Sequence, residues 1–161
     1  MGGSLQRFQF DPPDIDRLRS STAMLNDVCI NSTAALLQQL WSQHGNVSEQ
    51  YSRRCTIFST FDLIMVRYNC PLKDIYRRTA KIQYWNKDIW ILPIHRAAPA
   101  AHWVLCVIYI RSQEFFFFDS LADESLWKRE MHVRTKECIH FFFLTRLTGN
   151  CVACQESGSR C

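Results

Sequence analysis

The chain is 161 residues long, 47% hydrophobic and 21% charged, a composition that can bury one core of single-domain size. Its net charge of +4 is mild, and the densest basic groups are the pairs Arg53-Arg54 and Arg77-Arg78 rather than a stripe, which excludes the usual nucleic-acid footprint. No apolar run approaches the roughly 18 residues of a membrane span, and Met1–Asp16 is polar with paired prolines and lacks a secretory signal's layout, so an intracellular protein is expected.

In chain order, residues 1–20 show no apolar period and are expected to be a flexible arm ahead of a domain over 21–147. Thr33, Leu37, Leu40, Trp41 and His44 then fall at helical spacing, with Leu36 thickening the stripe. Asn26 or Asp27 can cap this helix, whose apolar face is expected to be core. Residues 42–56 are polar and turn-rich. A second helix fits Ser59–Tyr68, with Phe58, Phe61, Met65 and Tyr68 on one side. Pro71 opens a third, running to about Ile82, with Leu72, Ile75 and Tyr76 inward and Lys73, Arg77 and Arg78 outward.

The next section changes in kind. Ile89–Ile94, Trp103–Tyr109 and Phe115–Phe118 are short runs rich in β-branched and aromatic residues, apolar enough on both faces to be central strands. Residues 121–134 return to a helix-compatible pattern, and 148–161 form an irregular tail rich in Gly, Ser and Cys. Helices first and then adjacent strands indicate an α+β fold rather than alternating βαβ units.

In a reducing compartment the eight cysteines are thiols, ligands or nucleophiles before they are disulfides. Cys29 and Cys106 sit among apolar neighbours and read as buried filler. Cys138, His140, Cys151 and Cys154 combine Cys-x-His with Cys-x-x-Cys, a spacing that zinc can use. The first pair, however, adjoins the apolar run Phe141–Leu144, which argues for burial, and no metal or other cofactor is expected.

His102 opens one strand and Asp119 closes the next. Counted from the turn near Arg111–Gln113, the two lie at similar distances, so an antiparallel pairing makes them neighbours. A carboxylate beside a histidine fixes the imidazole tautomer and supports imidazolium, which is half of a nucleophilic site. The pattern alone also fits a strand-end His and Asp with no chemical role.

Four stretches in order resemble the Ulp1 family of ubiquitin-like-protein (SUMO) cysteine peptidases. Met24-Leu25-Asn26-Asp27-Val28-Cys29-Ile30-Asn31 is similar to the family's Trp-Leu-Asn-Asp-x-x-Ile-Asn opening, and Phe58-Ser59-Thr60-Phe61 to its Phe-Ser/Thr-x-Phe helix start. Asp88–His95 resembles the strand before the catalytic histidine, and His102-Trp103 and Asp119-Ser120-Leu121 match the His-Trp and Asp-Ser-Leu signatures. The resemblance covers roughly 15–125 and implies a papain-like fold with His102 as general base and Asp119 as its orienting partner. It further implies Trp103 as a wall of the channel for a Gly-Gly tail, Leu25, Asn26 and Asp27 as substrate-binding positions, and a ubiquitin-like protein as the partner of a monomeric enzyme. Only glycines, lacking Cβ, let an extended chain pass closely under an indole.

Two departures stand out. Met24 replaces the family's first Trp. More seriously, the 42 residues after Asp119 contain no Gln followed by Asp-Cys-Gly, the segment that supplies oxyanion donor and nucleophile in the family. Gln155 follows Cys154 instead of preceding a cysteine, leaving Cys151 and Cys154 as the nucleophile candidates. The chain is therefore expected to depart from the family's frame near Thr145, to hold an incomplete peptidase domain, and to be inactive as written; a degenerate relic or a non-catalytic binding module of the same fold is the alternative.

Overall fold

The computed structural model describes residues 10–43, 53–97, 100–121 and 136. The chain divides into two compact units, Met1–Ser52 and Arg53–Cys161.

In the first unit, α1 (Pro12–Arg19) occupies part of the stretch expected to be an arm. Its prolines stand in the first turn, where the first N–H groups have no intrahelical acceptor, so they start a helix there instead of breaking one. α2 (Asp27–Gln43) follows. Asn26 caps it: its Oδ1 accepts the Cys29 N–H at 2.9 Å, while its Nδ2 donates to Asp14 Oδ1 at 2.7 Å and so ties the two helices. Cys29 is buried and its Sγ lies 3.7 Å from the Asp14 carbonyl oxygen, which fits its expected role as filler. The expected core face of α2 is corrected: Leu36, Leu37 and Leu40 keep 41%, 41% and 40% of their surface exposed.

The second unit begins with β1 (Cys55–Ile57), a three-residue strand at the end of the stretch read as polar and turn-rich. α3 (Asp62–Arg67) is shorter than the expected Ser59–Tyr68. Of the expected stripe, Phe58 is buried and Met65 packs against the core, together with Leu63 and Val66, while Phe61 and Tyr68 are 40% and 79% exposed. Phe61 instead lies beneath the Arg78 guanidinium, 5.4 Å from ring centroid to Cζ, a contact made at the surface. α4 (Leu72–Thr79) opens after Pro71, buries Ile75 and exposes Lys73 and Arg77, as its amphipathic pattern predicts. Two 3-10 turns, Ala80–Ile82 and Tyr84–Asn86, lead out of it through Gln83 at φ 45°.

β2 (Ile89–Arg96), β3 (His102–Tyr109) and β4 (Glu114–Asp119) complete a four-stranded sheet in the order β1-β2-β3-β4, with β1 parallel to β2 and the rest antiparallel. The fold is α+β. Alternation sorts the side chains of β2 and β3 onto two faces. Trp90, Leu92, Ile94, Val104, Cys106 and Ile108 line the inner one and pack with Phe58, Leu63, Val66, Ile75 and Tyr84. Phe58, Tyr84 and Trp90 meet at ring centroids of 5.3–5.8 Å, and the buried Trp90 indole N–H donates to the Tyr84 carbonyl at 3.0 Å. Cys106 belongs to this core and is wholly buried.

β4 was expected to be central and is an edge of the described sheet. Phe115 and Phe117 pack against the core, but Phe116 and Phe118 stand on the other face, 45% and 59% exposed. The helix-compatible stretch after Leu121, the Cys138/His140/Cys151/Cys154 group and the 148–161 tail lie outside the described residues. Among the described residues no helix is long and apolar enough to cross a membrane.

Candidate active site

Register decides what meets at the end of the sheet. Val104 pairs with Asp119 and Arg96 pairs with His102, so the last inward-facing positions of β2, β3 and β4 are Arg96, His102 and Asp119. Each continues the face that carries Trp90, Leu92 and Ile94 or Val104, Cys106 and Ile108. All three side chains are buried, at 6%, 8% and 5% exposure respectively.

His102 Nε2 lies 2.7 Å from Asp119 Oδ1. A carboxylate only accepts, so Nε2 carries the proton of this bond. The other ring nitrogen, Nδ1, lies 2.7 Å from the Ala100 carbonyl oxygen, a second acceptor. A neutral imidazole can donate to one of these and an imidazolium to both. The site is thus arranged to hold a ring that carries two protons, or to free Nδ1 when the Ala100 contact opens.

Asp119 is held from three sides. Oδ1 also accepts the Leu121 N–H at 2.9 Å, and Oδ2 accepts Arg96 Nη1 at 2.8 Å. Burial by itself would push its pKa up, but the Leu121 N–H, His102 and Arg96 together outweigh that and keep the carboxyl below its ordinary range. An ionised Asp119 is what an imidazolium partner requires.

Trp103 follows His102 in sequence and so faces the opposite side of the sheet, half-buried, with the His95 ring 5.0 Å away across the β2–β3 pair. Leu25, Asn26 and Asp27 belong to the first unit: Leu25 is 38% exposed, and both polar ends of the Asn26 amide are committed to helix capping and to Asp14. Arg96 was not foreseen. The signal was present, because positions 90, 92, 94 and 96 share one face of a strand and the first three are plainly core.

None of the three buried thiols is a ready nucleophile, and the fourth described cysteine, Cys70, is part-buried against the core. Cys29 is buried in the first unit; Cys106 is wholly buried; burial pushes the Cys55 thiol up, against the slight pull of Arg54 and Lys87, away from the thiolate that nucleophilic chemistry uses. Cys151 and Cys154 lie outside the described residues. No group of three or more His, Cys, Asp or Glu among the described residues could hold a metal ion.

The sequence profile of the Ulp1 protease family's C-terminal catalytic domain matches residues 23–144, which takes in Leu25–Asp27, Arg96, His102, Trp103 and Asp119 and stops before Cys151. No curated protein gives a significant match.

Proposed function

The chain belongs to the Ulp1 protease family, and from that premise we propose that it is a papain-like thiol-peptidase domain directed at the Gly-Gly tail of a SUMO-like protein. His102 acts as the acid–base residue and Asp119 orients it. The observation that carries this is the buried 2.7 Å contact between His102 Nε2 and Asp119 Oδ1 at facing strand ends. With Nε2–H committed to the carboxylate, Nδ1 is the atom left to exchange a proton once its contact with the Ala100 carbonyl opens, taking it from a thiol and returning it to the leaving amine. On the family resemblance, and although its side chain leaves β3 on the face opposite His102, Trp103 is assigned to cover the glycine tail; its substitution by Ala is expected to weaken tail binding by about 2 kcal/mol while leaving the fold intact.

Binding without cutting is the second reading. It is favoured by the 42 residues after Asp119, which hold no Asp-Cys-Gly and only one Gln, Gln155. A triad acts as a unit, so losing the thiolate removes nearly all of the chemistry.

The test is the purified chain with a C-terminally fluorogenic SUMO-like substrate, alongside a Gly-Gly vinyl-sulfone probe. Saturable binding without turnover is expected. Turnover, or labelling of Cys151 or Cys154 that disappears in His102→Ala, would make the chain a complete enzyme. Absence of both binding and labelling would remove the SUMO-like tail as its ligand.

A further inference from the structure

Arg96 is only 5% exposed, and its Nη1 reaches Asp119 Oδ2 at 2.8 Å from the strand on the far side of His102. An aliphatic residue would continue the Trp90, Leu92 and Ile94 face at far lower desolvation cost, because taking a guanidinium out of water costs several kcal/mol unless it is well bonded. The carboxylate has one oxygen filled by His102 and the Leu121 N–H, and Arg96 fills the other. With both oxygens engaged, rotation about the Cβ–Cγ bond would break a charge-assisted hydrogen bond at each end.

We infer that Arg96 is a positioning residue for the His102–Asp119 pair: it fixes the plane of the Asp119 carboxylate so that Oδ1 stays on His102 Nε2. This rests on the assignment of His102 and Asp119 proposed above. Arg96 is buried and acts through Asp119. The guanidinium is suited to the task because its N–H groups lie in one rigid plane, whereas a lysine offers the same charge without that geometry.

The experiment is NMR on the whole chain without substrate, so its outcome does not depend on whether the chain binds or cuts a SUMO-like protein. Two signals are read: the downfield proton of His102 Nε2–H, identified by its loss in Asp119→Asn, and the pH titration of the Asp119 carboxyl carbon. In folded Arg96→Gln the downfield proton is expected to broaden away and the Asp119 midpoint to move up. Arg96→Lys should return the midpoint towards its original position while restoring the proton signal only in part. A folded Arg96→Gln that keeps both signals unchanged would reduce Arg96 to a space-filling residue.

The unsubstituted chain gives an independent check that needs no variant. The Arg96 Nη protons should show separate, slowly exchanging resonances from hindered rotation. A freely averaging guanidinium would overturn the proposal.

Discussion

Asp62 and Asp119 are both buried carboxylates that receive one main-chain N–H and one arginine, yet they have opposite acid–base character. Asp62 accepts the Ser59 N–H at 2.7 Å and Arg78 Nε at 3.2 Å, closing the turn into α3 and linking it to α4. Burial dominates there and pushes its carboxyl up, with Ser59 and Arg78 only partly opposing it. At Asp119 burial also works upward but is outweighed. The Asp62 arginine is itself 47% exposed and so screened by water, whereas the Asp119 arginine is buried and a histidine adds a third donor. Burial alone does not decide how a buried acid behaves; the number of donors and their own exposure do.

Truncation should separate the two sites most sharply. Asp119→Ala leaves Arg96 and His102 facing each other in a buried site without their shared acceptor, and should cost about 3–5 kcal/mol in urea unfolding. Asp62→Ala removes the acceptor of the Ser59 N–H and a partly exposed ion pair, for an expected loss of about 1–2 kcal/mol. Equal losses would mean that the strand-end pair is energetically no different from the Asp62 turn.

Acid titration of stability gives the next largest contrast. Asp119 has a depressed folded value, so its contribution is fully present above the ordinary carboxylate value of about 4 and is lost as pH falls below that. Asp62 has a raised folded value, so its sign is reversed: stability is lost as pH climbs from the ordinary value through the folded one. Unfolding curves between pH 3 and 6 should therefore rise less steeply with pH in Asp119→Asn than in the parent, and more steeply in Asp62→Asn. The same slope in both variants would contradict the donor-count explanation.

The smallest effect belongs to Asp88, at the far end of the sheet. It bridges Arg54 at 3.3 Å and Arg111 at 3.0 Å, with arginine side chains 49% and 83% exposed. Asp88→Asn should cost about 0–1 kcal/mol and vanish into scatter at high salt.

How much of this was legible beforehand follows from what each signal depends on. His102 and Asp119 could be paired from sequence because a short turn at Arg111–Gln113 makes register a matter of counting outward. β2, β3 and β4 were legible as strands because their apolar runs are short and turn-bounded. β1 was missed, since three residues are too few to show a period. The inward face of α2 was misjudged, and the stripe of α3 went inward only at Phe58 and Met65, because helical spacing says which residues share a stripe, not what covers it. Arg96 was passed over because a charged residue just beyond an apolar run reads as the strand leaving the core, although its parity kept it inside.

The β3–β4 hairpin also matters to the chain while it is being made. Four consecutive phenylalanines, Phe115–Phe118, would be a sticky stretch on a nascent chain if they waited for a distant partner. Their partner is the strand synthesised just before them, across a turn in which Gln113 takes the left-handed conformation at φ 58°. Hairpins close in roughly 1–10 μs, whereas a ribosome adds only about 5–20 residues per second. The backbone of β4 can thus find β3 almost as soon as both have emerged, and Phe116 gains the edge of Tyr109 at 5.5 Å. The short turn that brings Asp119 to His102 thereby also shortens the time for which this aromatic run is open to a chaperone or to another chain.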